Sequence, residues 1–147
     1  MEHFDHRLCS KCSCSEPIEV YQMMEECTEK IPNKGTLVSI LPAYSHVGAL
    51  RQGMKIHGRV IKDRLYLDVF VGTCLIDMYG KCGRLDDSMS LFYQMPRRIS
   101  VPWNAIIFCH GVHGHDDKAL NLFREMLDEG EKPDHITFVV CIFVVSL

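Results

Sequence analysis

Residue types able to do chemistry gather in two places. Cys9, Cys12 and Cys14 stand in "CSKCSC" near His3 and His6, and Cys109, His110, His113 and His115 crowd "CHGVHGH". Thiolates and neutral imidazoles at such spacings can hold a zinc ion. The first cluster lacks the second CxxC that would complete a four-ligand site, and reads as part of a polar tail. No trio of nucleophile, base and orienting group is recognisable, and no glycine-rich loop offers N–H groups to a phosphate. No HxE precedes a PCxxC that could build a deaminase zinc site. Neither catalysis nor a bound metal or cofactor is expected.

The second cluster is explained by what surrounds it. "IIFCHGVHGHDDKALNLF" (106–123) nearly restates "LIDMYGKCGRLDDSMSLF" (75–92), thirty-one positions earlier, and "ILPAYSHVGALRQGMKIHGRVI" (40–61) superposes on both. Gly48, Gly83 and Gly114 fall on one another. So do Leu41, Ile76 and Ile107, then Tyr44, Tyr79 and His110, then Ile56, Leu91 and Leu122. His110 therefore fills a slot held elsewhere by tyrosine, which favours a core-facing role over metal ligation. His57, in the slot of Phe92 and Phe123, reads the same way.

A period of 31 to 35 residues, with two apolar runs split by a glycine, marks stacked helical hairpins, because one hairpin cannot cover its own apolar face. The second runs keep helical spacing: Gly53, Ile56, His57, Val60, Ile61; Ser88, Leu91, Phe92, Met95; Ala119, Leu122, Phe123, Met126, Leu127. Each glycine stands where a first helix must stop in the left-handed conformation. Asp86, Asp87, Asp116 and Asp117 suit the positive end of the following helix, and Pro96 and Pro133 mark the exits from second helices. Helices are predicted at about 17–29, 34–46, 50–63, 69–81, 85–95, 101–112, 116–129 and 135–147. The β-branched run at 138–145 passes for a strand by propensity, but its place in the repeat makes it helical.

Composition bounds the rest. The 147 residues suffice for one unit with a core, and 16 Lys+Arg against 19 Asp+Glu create no global cationic field, so any polyanion site must be local. Cys27, Cys74, Cys82, Cys109 and Cys141 stand singly among apolar neighbours, as free thiols do in a reducing compartment. "MEHFDHRLCSKCSCSEP" resembles neither a signal nor a transit peptide, so no targeting peptide is visible. "HITFVVCIFVVSL" has 13 residues, short of the roughly 18 to 20 that cross a bilayer, and no membrane association is expected.

"DVFVGTCLIDMYGKCGRLDD", "VPWNAII", "KALNLFREMLDEGEKPDHITF" and "GALRQGMKIHGRVIK" resemble plant pentatricopeptide repeat proteins, in the subfamily that alternates long, short and standard repeats. The resemblance covers residues 16–140. It implies an all-α, right-handed superhelical solenoid of antiparallel helix hairpins, similar to tetratricopeptide stacks. In that frame 1–15 is a tail, 16–33 the closing helix of a partial repeat, 34–68, 69–99 and 100–134 are repeats, and 135–147 opens another, truncated one.

The family is implied to bind single-stranded RNA in mitochondria or chloroplasts, one nucleotide per repeat, as an adaptor for editing or processing proteins. The fifth and last residues of a repeat face the base edge, and second residues sandwich the ring. Carried over, Asn104 and Asp134 form a reading pair, whose pattern favours uracil, with Val101 and Ile136 flanking the base. Thr73 reads and Phe70 flanks in the preceding repeat, but the last residue there is Ile99, which cannot hydrogen-bond. Val38 and Asp68 would form the pair of the first full repeat, where an apolar fifth residue argues for spacing rather than reading. Lys81 matches a phosphate-contact position, where the next repeat has Val112.

Plainer readings stand beside these. Trp103 packs inside its hairpin rather than stacking on a base, and Asn104 and Asp134 serve as a surface amide and a helix cap. A protein-interaction scaffold and a functionless remnant of a longer gene remain alternative readings of the whole chain. The apolar end "VVCIFVVSL" is expected to be sticky.

Overall fold

The computed structural model describes residues 18–23, 33–65 and 68–147. The tail at 1–15, with Cys9, Cys12, Cys14, His3 and His6, lies outside them. So does most of the helix expected at 17–29, of which 18–23 is helical. Seven helices follow: α1 (Lys34–Val47), α2 (Leu50–Lys62), α3 (Val69–Lys81), α4 (Leu85–Gln94), α5 (Ser100–Val112), α6 (Asp116–Asp128) and α7 (His135–Ser146). The described residues contain no strand, and 138–145 belong to α7.

Each hairpin turns on a left-handed glycine. Gly48, Gly83 and Gly114 have φ of 69°, 80° and 78°, where a β-carbon is strained. The backbone closes around them by one pattern. Gly83 N donates to Gly80 O at 3.1 Å and Arg84 N to Tyr79 O at 2.8 Å; Gly114 N donates to Gly111 O at 3.0 Å and His115 N to His110 O at 2.9 Å. These paired bonds use carbonyls that a helix end leaves without partners.

The hairpins stack in two layers. First helices pack on first helices, α1 on α3, α3 on α5 and α5 on α7, while each second helix rests on its own first helix and on the next. Close approach within the first layer needs small residues at one register. A β-carbon at Gly80 would overlap Cys109, and one at Gly111 would overlap Val144. Between the layers, Trp103 is fully buried with its ring 4.6 Å edge-on from Phe92, and its Nε1 donates to Arg98 O at 3.2 Å. Packing, not base stacking, occupies Trp103.

The equivalent slots are equivalently buried: Leu41, Ile76 and Ile107; Tyr44, Tyr79 and His110; Ile56, Leu91 and Leu122. Two stripe residues depart from expectation. Ile61 and Leu127 are exposed, because a residue eight positions along a helix has rotated roughly 80° from the start of the stripe. The stop of α6 also differs: it ends at Asp128, and Gly130, with φ 81°, reverses the chain before Pro133 is reached.

Candidate nucleic-acid interface

Residues 33, 68, 99 and 134 occupy one structural position. Each is the extended N-cap of a first helix, α1, α3, α5 and α7 respectively. A short polar side chain here satisfies helix N–H groups that have no partner of their own. Asn33 accepts from Thr36 N, Asp68 from Phe70 N and Val71 N, and Asp134 from Thr137 N, whereas Ile99 makes no side-chain cap.

The caps place Asp134 against Asn104 of α5. Asn104 Nδ2 donates to Asp134 Oδ1 at 3.2 Å. Thr137, the third residue of α7, donates its hydroxyl to Asn104 Oδ1 at 2.6 Å, and its oxygen lies 3.0 Å from Asp134 Oδ1. Thr137 Oγ1 accepts in turn from Asp134 N at 3.1 Å, completing a capping box. The backbone N–H of Thr137 holds the Asp134 carboxyl down at about 2 against the cost of burial, with the Asn104, Thr137 and Ser100 side chains assisting. At neutral pH this carboxylate is ionised and can only accept hydrogen bonds.

Asn104 is itself largely buried, at 8% exposure, while its proposed neighbours are open: Val101 is 38% and Ile136 49% exposed. Both are large apolar side chains left in water, a surface that a stacked ring would cover. Sequence reasoning found Asn104 and Asp134 but missed Thr137 and Ser100. The available signal was Thr137 three residues past Asp134, which is capping-box spacing.

The preceding junction is different. Thr73 is partly buried and donates its hydroxyl to Val69 O of its own helix at 2.6 Å, and Ile99 brings no polar side chain to it. Phe70 is 52% exposed, but Lys34 Nζ lies 5.2 Å above its ring and 2.7 Å from Asp68 Oδ2. Lys34, also missed in the sequence, thus occupies both the ring face and the carboxylate. Burial raises the Asp68 pKa, but Lys34 and the Val71 and Phe70 N–H groups outweigh it and hold the carboxyl below its usual range. Lys81 is exposed and paired with Asp77 one turn back at 3.0 Å. Such a surface pair is worth well under about 1 kcal/mol, so it leaves the ammonium open to exchange with a phosphate. Val112, its counterpart, is exposed and apolar.

The histidine cluster is dispersed. His110 is buried, and His113 Nε2 turns to Gly80 O at 2.6 Å. The ring of His115 stands edge-on 6.0 Å from that of His110. Among the described residues, no three His, Cys, Asp or Glu side chains are grouped to hold a metal.

Hairpins stacked on small first-helix residues, with a polar pair joining α5 to the N-cap of α7, define a helical-repeat solenoid. The PPR repeat family profile matches residues 99–144 and the PPR repeat profile 73–98. A pentatricopeptide repeat-containing protein of Arabidopsis thaliana is 66% identical over 132 residues, 90% of this chain and 16% of that protein. One named as chloroplastic is 44% identical over 108 residues, 74% of this chain and 12% of its own length. Another, named as mitochondrial, is 44% identical over 125 residues, 85% of this chain and 19% of its own length. The chain belongs to the pentatricopeptide repeat family, and it spans less than a quarter of the length of these curated relatives.

Proposed function

We propose that the chain binds single-stranded RNA as an adaptor, positioning a transcript for RNA-editing or processing proteins and performing no chemistry itself. The reading divides it into repeats 34–68, 69–99 and 100–134 of the long, short and standard kinds. The observation that carries it is the Asn104–Asp134 pair, hydrogen-bonded across the boundary between the last two helical units and flanked by exposed Val101 and Ile136. Asn104 offers a donor and an acceptor to a base edge, for which uracil is the proposed partner. Val101 and Ile136 supply stacking surface. Thr73 and Phe70 provide a weaker second position, and Lys81 a phosphate contact. The organelle is a mitochondrion or chloroplast, in keeping with the labels of the relatives.

Stacking contributes about 1–3 kcal/mol per base. A few repeats therefore bind weakly. Each phosphate contact adds about −0.7 to the slope of log affinity against log salt for a single strand. Fluorescence anisotropy with short single-stranded RNAs across a salt series tests the reading, with Asn104→Ala and Asp134→Ala alongside. Both substitutions weaken binding at every salt concentration under this proposal; equal binding by all three proteins contradicts it. Capture of the same partner proteins after RNA has been digested favours a scaffold instead.

A further inference from the structure

We infer that Thr137 is a positioning residue that sets base specificity at Asn104, by locking the Asn104 amide in one of its two flipped orientations. This rests on the reading of Asn104 as a base contact. A carboxamide rotated by half a turn keeps its shape but exchanges donor for acceptor. The two pyrimidines differ in the same sense. Uracil offers an acceptor at O4 beside a donor at N3–H, and cytosine offers a donor at N4 beside an acceptor at N3. An Asn free to flip pairs with either.

At Asn104 the flip is constrained at both ends. The ionised Asp134 carboxylate accepts only, so the end facing it must be Nδ2, 3.2 Å away. Thr137 Oγ1 accepts from Asp134 N at 3.1 Å and has one proton to donate; of its two acceptors, Asn104 Oδ1 at 2.6 Å is closer than Asp134 Oδ1 at 3.0 Å and receives it. Flipping the amide would set Oδ1 against a carboxylate oxygen and would turn the Thr137 hydroxyl from donor to acceptor, sending its proton to the longer contact with Asp134 Oδ1 at 3.0 Å. The 3.2 Å bond to Asp134 and the 2.6 Å bond from Thr137 would both be lost, the latter where Thr137 is fully buried. In the observed orientation Asn104 still keeps one N–H and one Oδ1 lone pair, the number a pyrimidine edge requires.

The junctions opened by α3 and α5 lack this arrangement, and at α1 the hydroxyl of the third residue, Thr36, donates to the Asn33 cap at 3.1 Å. The third residue of α5 is Pro102 and that of α3 is Val71, neither of which can donate from its side chain. Thr73 accordingly spends its proton on its own helix. Of the fifth positions in the three repeats, Val38, Thr73 and Asn104, the last carries an amide to orient.

The test uses the full chain and two single-stranded RNAs that differ only by uracil or cytosine at one position, with the affinity ratio as readout. Thr137→Val keeps shape and removes the hydroxyl; Thr137→Ser keeps the hydroxyl. The inference predicts a uracil preference in the parent chain, a ratio reduced about fivefold or more in Thr137→Val, and restoration in Thr137→Ser. A purely structural role would weaken both RNAs alike and leave the ratio unchanged, which overturns the inference. An Asn104→Ala chain that keeps the parental ratio overturns the underlying reading as well; one that loses it, beside an unaltered Thr137→Val, overturns the role of Thr137 alone. If Thr137→Val does not fold, the RNA-free parent chain decides. A slowly exchanging Thr137 hydroxyl proton with a nuclear Overhauser contact to Asn104 supports the lock, and a freely exchanging one contradicts it.

Discussion

Gly111 of α5 meets Val144 of α7 so closely that any β-carbon at 111 would overlap the Val144 Cγ2 methyl. Alanine ordinarily gains about 1 kcal/mol over glycine inside a helix, whereas overpacking costs about 1–3 kcal/mol. The overlap wins. Gly111→Ala is expected to lower the urea midpoint, and the same substitution beside Val144→Ala to raise it, since the obstructing methyls are gone. A double-mutant cycle by chemical denaturation measures this coupling; additive effects would remove close helix packing as the reason for glycine here.

His110 makes stability depend on acid. Both ring nitrogens are buried without a hydrogen-bond partner among the described residues. Burial, with Lys118, His115 and His113 nearby, lowers the pKa to about 4. An unfolded chain titrates the same imidazole near 6.5, so between those values the unfolded state binds the extra proton. Stability is then full above about pH 6.5 and falls as pH drops toward about 4. His110→Tyr, which restores the residue found at Tyr44 and Tyr79, should flatten the dependence of the denaturation midpoint between pH 7 and pH 5. An unchanged slope would show that other groups carry it.

Lys34 helps the Val71 and Phe70 N–H groups to hold the Asp68 carboxyl below its usual range. The ammonium is 2.7 Å from the Asp68 carboxylate yet half exposed, so Lys34→Met should cost no more than about 1 kcal/mol of stability. It should bring the Asp68 carboxyl back toward the ordinary carboxylate range, followed by the side-chain carbonyl carbon in NMR. An unmoved titration would mean that the helix N–H groups alone hold the carboxyl down.

The fold was legible because its punctuation is chemical. Gly48, Gly83 and Gly114 repeat in sequence since the left-handed turn admits little else, and the slots around them align even where histidine replaces tyrosine. Ile61 and Leu127 misled because an apolar residue at the end of a stripe has rotated to solvent. Pro133 was a weaker stop signal than Gly130, which reversed the chain first. Half of the polar site was visible as Asn104 and Asp134. Thr137 was not, because its bond to Asn104 spans 33 residues and joins two helices whose register only packing sets. The pairing of Lys34 with Asp68 and Phe70 was hidden for the same reason, and that of Lys81 with Asp77 because both residues read equally well as solvated charges.

The Asn104 side-chain amide gives the most direct test that this boundary reads a base. In a ¹⁵N-labelled chain titrated with short single-stranded RNA, the Nδ2 resonances of Asn104 and the methyl groups of Val101 and Ile136 should shift together and saturably. Uridine-rich RNA should produce the shift at lower concentration than adenosine-rich RNA. Resonances that stay in place with both RNAs, or move identically with any polyanion, would contradict the account.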